Sequence, residues 1–96
     1  MGAQPFRCVA DGESPKEAFK EAVKEAEYMH GAGGYTGTIA EKSSWILIEP
    51  DPEMDPHEQA EEMIQNDHPD IQSKWGAAGC LKLEENKYLF FGWASC

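Results

Sequence analysis

The sequence predicts a single α+β domain over residues 1–96, with a two-layer structure. A mostly antiparallel sheet of about five strands is expected to carry two helices on one face. A length of 96 residues fits one domain. Two segments begin with the same helix-start pattern, and short apolar runs bounded by turn residues lie before, between and after them. The predicted order is therefore strand, helix, two strands, helix, two strands.

Both helices are predicted from the residues at which they begin. Ser14 can cap the first helix, Pro15 suits the first helical position, and Glu17 completes a capping box. Residues 55–58, Asp-Pro-His-Glu, repeat this pattern for the second helix. Apolar residues at helical spacing follow both starts, so each helix should have one apolar face. Gly31 is expected to end the first helix.

The predicted strands are short runs rich in apolar and β-branched residues. They cover residues 6–10, 35–41, 45–49, 78–83 and 88–93. In two of them, at 45–48 and 89–93, both faces are apolar, whereas a two-layer domain exposes one face to water. Three explanations of this surplus stay open: loops of the same chain cover it, a second subunit covers it, or it lines a ligand groove. We expect a homodimer that buries Ile46 or Leu47 with alternate residues of 89–93.

The charge of the chain is concentrated in one segment. Residues 49–70 contain nine of the eighteen acidic residues and no Lys or Arg, in a chain of net charge -10. Such a segment repels phosphate, which argues against direct binding of nucleic acid, and it attracts a basic protein surface. The partner-binding residues predicted on this basis are Asp51, Glu53, Asp55, Glu58, Glu61 and Glu62.

The sequence also bears on the cellular compartment. No apolar run approaches the roughly 20 residues of a membrane span, and the first residues do not have the pattern of a secretory signal. Cys8, Cys80 and Cys96 form an odd set without CxxC spacing, which suits reduced thiols. We therefore expect a cytoplasmic protein with no membrane partner.

A glycine-rich stretch at residues 31–38, Gly-Ala-Gly-Gly-Tyr-Thr-Gly-Thr, is the one local segment that looks like a motif. Its amides and hydroxyls could hold an anion, but phosphate loops run from a strand into a helix, and this stretch follows a helix. A tight structural turn is the default interpretation. The alternative is a nucleotide-like or anionic ligand, held by Gly33, Gly34, Tyr35, Thr36, Thr38 and Trp45.

Residues 30–42, His-Gly-Ala-Gly-Gly-Tyr-Thr-Gly-Thr-Ile-Ala-Glu-Lys, resemble a segment of short proteins from bacteriophages, prophages and some archaea. The resemblance covers about the first half of the chain, and it implies no particular activity. What it implies is a viral or mobile-element accessory protein in the cytoplasm of a host cell. It supplies no catalytic residues.

Candidate catalytic and metal-binding groups are few. His57 and Glu61 are four residues apart, as are Glu58 and Glu62, but the second His of a zinc protease motif is missing. A solvated helix face explains these residues, and no Ser or Cys has the nucleophile-elbow pattern. We expect no enzyme, no cofactor and no metal. The predicted function is that of a small acidic interaction protein, with small-ligand binding through residues 31–38 as the alternative.

Overall fold

The structure is a computed structural model that describes residues 3–30, 38–39, 42–66, 68–69, 71 and 76–95. Within these ranges the chain forms four strands and two helices. They are β1 (Ala3–Asp11), α1 (Pro15–His30), β2 (Trp45–Leu47), α2 (Pro56–Gln65), β3 (Ala78–Glu84) and β4 (Lys87–Ser95). The α+β class is therefore confirmed. In this part of the chain, neither helix is both long enough and apolar enough to cross a membrane.

The four described strands form one mixed sheet in the order β1-β4-β3-β2. β4 is antiparallel to both of its neighbours, and β2 is parallel to β3. Consequently β1, β2 and β3 all run in one direction and β4 runs against them. The strand that came last in the sequence therefore lies inside the sheet, between β1 and β3.

The strand count differs from the prediction of about five. Most of the predicted strand at 35–41 lies outside the described residues. Its described members, Thr38 and Ile39, are in a bend and a 3₁₀ turn, so the prediction of a strand is wrong there. The reason is local, because the amide of Lys42 donates to the carbonyl of Ile39 at 2.9 Å and closes a turn.

Both predicted helix starts are confirmed by their capping contacts. The amide of Glu17 donates to the Ser14 hydroxyl at 3.3 Å, and α1 begins at the following proline. The amide of His57 donates to Asp55 Oδ1 at 2.8 Å, and α2 also begins at a proline. These side chains satisfy amides that the first helical turn leaves without intrahelical partners.

The two helices lie on opposite faces of the sheet. Tyr88 and Phe90 of β4 belong to a core cluster that includes Ala18 and Ala22 of α1. The alternate residues of β4, Leu89 and Phe91, belong to a second cluster with Ala60, Met63 and Ile64 of α2. Successive side chains of a strand point to opposite faces. The domain therefore has three layers, and the prediction of two layers with both helices on one face is wrong.

The chain topology explains this arrangement. The connection through α1 runs from β1 at one edge of the sheet to β2 at the other edge, and the connection through α2 returns from β2 to β3. These three strands point the same way. Crossovers of the favoured right hand that move in opposite directions across such strands place their helices on opposite faces.

The apolar surplus of the strands is thus covered within one chain. Leu89, Phe90 and Phe91 are 1%, 0% and 0% exposed, so the predicted dimer contact cannot use these three residues, while Trp93 is half-buried. On β2, by contrast, Ile46 and Leu47 are 39% and 57% exposed. Homodimer formation itself stays a prediction, and of the residues named for it, Ile46 and Leu47 are exposed.

Candidate functional site

Six carboxylates lie on the loop before α2 and on α2 itself. Ala60, Met63 and Ile64 form the buried side of this helix, so the glutamates occupy its outer side. All six residues that the sequence predicts for partner binding are exposed: Asp51, Glu53, Asp55, Glu58, Glu61 and Glu62. We call the loop 49–55 and the exposed side of α2 the acidic surface.

Gln59 fastens the loop of the acidic surface to the helix. Its Oε1 accepts from the amide of Asp51 at 2.8 Å, and its Nε2 donates to the carbonyl of Glu49 at 3.0 Å. Both functional groups of one helical side chain thus bind loop backbone on either side of Pro50. The role of Gln59 is not predictable from the sequence, because neither its spacing nor its neighbours distinguish it from a solvated helix residue.

Two aspartates of the acidic surface also stabilise the local backbone. Asp51 accepts from the amide of Glu53 at 2.9 Å through its side chain and from the amide of Met54 at 3.1 Å through its carbonyl. Asp55 caps α2 through the amide of His57. The loop is therefore a hydrogen-bonded turn followed by a helix cap, and the carboxylates of Asp51 and Asp55 are held against its backbone.

Arg7 of β1 forms an ion pair with the acidic surface. Its Nη1 lies 3.3 Å from Glu61 Oε2, and Gln65 Nε2 donates to the other carboxylate oxygen at 3.3 Å. The two charged side chains are 45% and 55% exposed, so this pair contributes little stability. No local pattern predicts this ion pair, because Arg7 and Glu61 are far apart along the chain and are brought together by the packing of α2 on the sheet.

An open groove of about 430 Å³ has one side formed by the end of β2 and the loop that follows it. The other side is formed by α2 and the residues just after it. Met63 is buried at its base, Ile48 and Met54 are half-buried, and Glu49 and Glu62 are exposed. We call it the acidic groove. Its lining residues are Leu47, Ile48, Glu49, Asp51, Met54, Gln59, Glu62, Met63, Asn66 and His68.

The residues predicted for small-ligand binding are described only in part. Gly33, Gly34, Tyr35 and Thr36 lie outside the described residues. Thr38 is half-buried and lines a cavity of about 220 Å³ between β1 and α1, together with Phe6, Ala22 and Ile39 among others. Trp45 packs against the core cluster of α1.

The described thiols are poorly suited to nucleophilic chemistry. Burial raises the pKa of Cys8 to about 12, and the nearby charge of Glu25 adds to that effect. Burial likewise raises the pKa of Cys80 to about 12. The thiolate is the reactive form of cysteine, so both groups are almost entirely unreactive thiols at neutral pH.

In the part of the chain that the structure describes, no three His, Cys, Asp or Glu side chains come together in a way that could hold a metal ion. The Glu61 carboxylate, which the sequence paired with His57, instead accepts from Arg7 and Gln65. The absence of an enzymatic role stays a prediction.

Comparison of the chain with protein-family models, with curated proteins and with solved structures yields no match.

Proposed function

We propose that this chain is a small, non-enzymatic interaction protein whose acidic surface binds a basic surface of another protein. In keeping with the resemblance of residues 30–42, its biological role would be that of a phage or mobile-element accessory protein acting on a host protein. The observation that carries the proposal is the exposure of all six predicted carboxylates on one loop and helix.

The rigidity of the acidic surface supports this proposal. Gln59 ties the loop to α2, and Asp55 caps the helix, so the backbone that carries the carboxylates does not have to be ordered when a partner binds. Less conformational entropy is then lost on association. A fixed array of negative charge also steers a basic partner toward the correct orientation and increases the association rate at low salt.

The net charge supports the nature of the partner. A chain of formal charge -10 repels nucleic acid, acidic proteins and other copies of itself at long range. A protein surface rich in Lys and Arg is the macromolecular surface that it attracts. Such surfaces commonly contact phosphates in nucleic-acid-binding proteins, and the carboxylates here would occupy the places of phosphates.

A pulldown with matched charge variants tests the proposal. In the test variant, Lys replaces Glu58, Glu61 and Glu62 together. In the control variant, Lys replaces three glutamates that are exposed elsewhere on the molecule, Glu21, Glu27 and Glu85. Both triple variants have the same formal charge. Proteins retained from a bacterial lysate are quantified after washes at low and high salt, with folding checked by circular dichroism.

We expect the wild type and the control to retain the same partner at low salt and to release it at high salt. The variant at Glu58, Glu61 and Glu62 should lose it. Lys at position 61 would place a second positive charge beside Arg7, and a variant with Gln at the three positions avoids this. The Gln variant should also lose most of the binding. Equal retention by all variants would contradict the proposal, and equal loss in the control would reduce it to a net-charge effect.

A further inference from the structure

We infer that the acidic groove receives one apolar side chain of the basic partner, at a position flanked by Lys or Arg in the partner's sequence. This inference rests on the proposed function, because it specifies the partner of the same surface. The occupant is thus a basic peptide segment with an apolar anchor, and not simply any positively charged surface.

The base of the groove provides the apolar part of this site. Met63 is 8% exposed and packs in the core cluster of α2, while Ile48 and Met54 remain half-buried at the walls. Methionine is flexible and polarizable, so Met54 and Met63 can adapt to side chains of different shape. A volume of about 430 Å³ is at the lower end of the ~300–1,000 Å³ of small-molecule sites. The groove therefore has room for one large apolar side chain.

The exposed carboxylates at the rim of the groove determine which residues can stand beside the apolar anchor. Glu49, Asp51 and Glu62 are exposed and line the same groove, so an anchor placed between them brings its neighbours against carboxylates. Lys or Arg in those neighbouring positions would form ion pairs, and their aliphatic stems would cover more apolar surface. An acidic or phosphorylated segment would be repelled at the same positions.

Charge complementarity also separates this occupant from a second copy of the chain. Two acidic grooves brought together would place the carboxylates of Glu49 and Glu62 against each other, and like charges at an interface are unfavourable. A neutral apolar ligand would gain nothing from the rim. The basic segment with an apolar anchor is the occupant that uses both parts of the groove.

Three labelled synthetic peptides test this inference by fluorescence anisotropy with the intact protein. The first has four lysines around one central leucine. The second replaces that leucine by serine and keeps the charge, and the third replaces the lysines by serine and keeps the leucine. Measurement at low and at physiological salt separates the charge contribution from the apolar contribution.

We expect the leucine peptide to bind at least about tenfold more tightly than the serine peptide of equal charge, since burial of one apolar side chain has an effect of this size. Met54→Gln and Leu47→Gln keep every carboxylate and should remove this preference. Met54 lies in a loop and Leu47 is 57% exposed, so both variants should fold. The lysine-free peptide should bind much more weakly than the first.

The outcomes distinguish the inference from the proposed function. If the two charged peptides bind equally, and the Lys variant at Glu58, Glu61 and Glu62 weakens both, the acidic surface binds basic segments but the inference about the groove is overturned. If this variant changes binding of neither peptide, the proposed function is wrong as well. Tight binding of the lysine-free peptide, or a dimer of the protein that Met54→Gln disrupts, would overturn the choice of a basic occupant.

Discussion

At position 79 only glycine fits, because the ring of Phe91 on the opposite strand occupies the space of a Cβ. These two residues are paired across β3 and β4, and a Cβ at position 79 would lie 2.6 Å from Cζ of the Phe91 ring. Phe91 is 0% exposed, so the ring cannot move without disturbing the core cluster of α2.

Gly79→Ala should therefore lower the free energy of unfolding by about 1–3 kcal/mol, as overpacking of a core does. Urea denaturation measures the change. Phe91→Leu in the same chain should make the Gly79→Ala substitution less costly, so the two substitutions should be non-additive. A Gly79→Ala variant as stable as the wild type would show that the ring can move after all.

Lys42 connects burial with pH dependence. It is 5% exposed, and burial lowers its pKa from 10.5 to about 8. Above pH 8 the folded amine loses its proton while the unfolded amine keeps it until about pH 10.5, so the unfolded state binds more protons and stability rises with pH. The thiols of Cys8 and Cys80 act in the opposite direction above pH 9, because their pKa is raised from 9.0 to about 12 in the folded state.

The free energy of unfolding, measured in reducing buffer, should accordingly rise between pH 8 and pH 9 and rise no further once the thiols begin to titrate. Lys42→Met removes the titrating amine and should abolish the rise. Cys80→Ala should make the loss of stability at still higher pH smaller. Parallel profiles for the wild type and Lys42→Met would show that the amine keeps its ordinary pKa.

At the scale of single residues, the sequence predicts local contacts and misses distant ones. The caps at Ser14 and Asp55 follow from neighbouring residues, and both are confirmed. The clamp formed by Gln59 and the ion pair of Arg7 with Glu61 depend on how the loop and the strands pack, and no local pattern encodes them.

Among the elements, α2 matters most, because it carries both the second core cluster and the acidic surface. Its first turn depends on Asp55, whose carboxylate accepts from the amide of His57. Asp55→Ala should lower stability by about 1 kcal/mol in thermal or urea unfolding. Asp55→Asn keeps a cap acceptor and should be nearly as stable as the wild type. If the two variants are equally destabilised, the negative charge at the helix start, and not the cap, is the important contribution.

The sequence predicts the elements better than it predicts their layers. Apolar residues on both faces of residues 89–93 indicate correctly that both faces are buried, but several different coverings satisfy that pattern. The decisive fact is the position of β3 between β1 and β2 in the sheet, which makes the two crossovers run in opposite directions. Pairing between distant strands is a tertiary property, and the alternation along one strand does not reveal it.

For the whole molecule, the repulsion among its negative charges is a property that can be measured directly through its dependence on salt. A formal charge of -10 is held within a radius of gyration of 12.3 Å. The Debye length falls from about 30 Å at 0.01 M salt to about 8 Å at 0.15 M, so added salt should screen repulsion across the molecule.

The melting temperature should therefore rise as NaCl increases over this range. Three Glu→Lys reversals at Glu58, Glu61 and Glu62 bring the formal charge to about -4 and should make the rise smaller. An uncharged osmolyte at matched osmolarity serves as the control. A melting temperature that falls with salt would indicate that ion pairs, such as that of Arg7 with Glu61, outweigh the repulsion.

The interior position of β4 also governs when this chain can fold during synthesis. β1 pairs with β4 from Ala3 with Ser95 to Asp11 with Lys87, so the ladder joins a segment that precedes both helices with one that is synthesised after them. Until residues 87–95 leave the ribosome, α1 and α2 both lack the β4 side chains on which they pack. Contacts of such high sequence separation form slowly. A nascent chain that stops before Lys87 should consequently have helices but no closed sheet, and its surplus of negative charge would keep neighbouring unfinished chains apart.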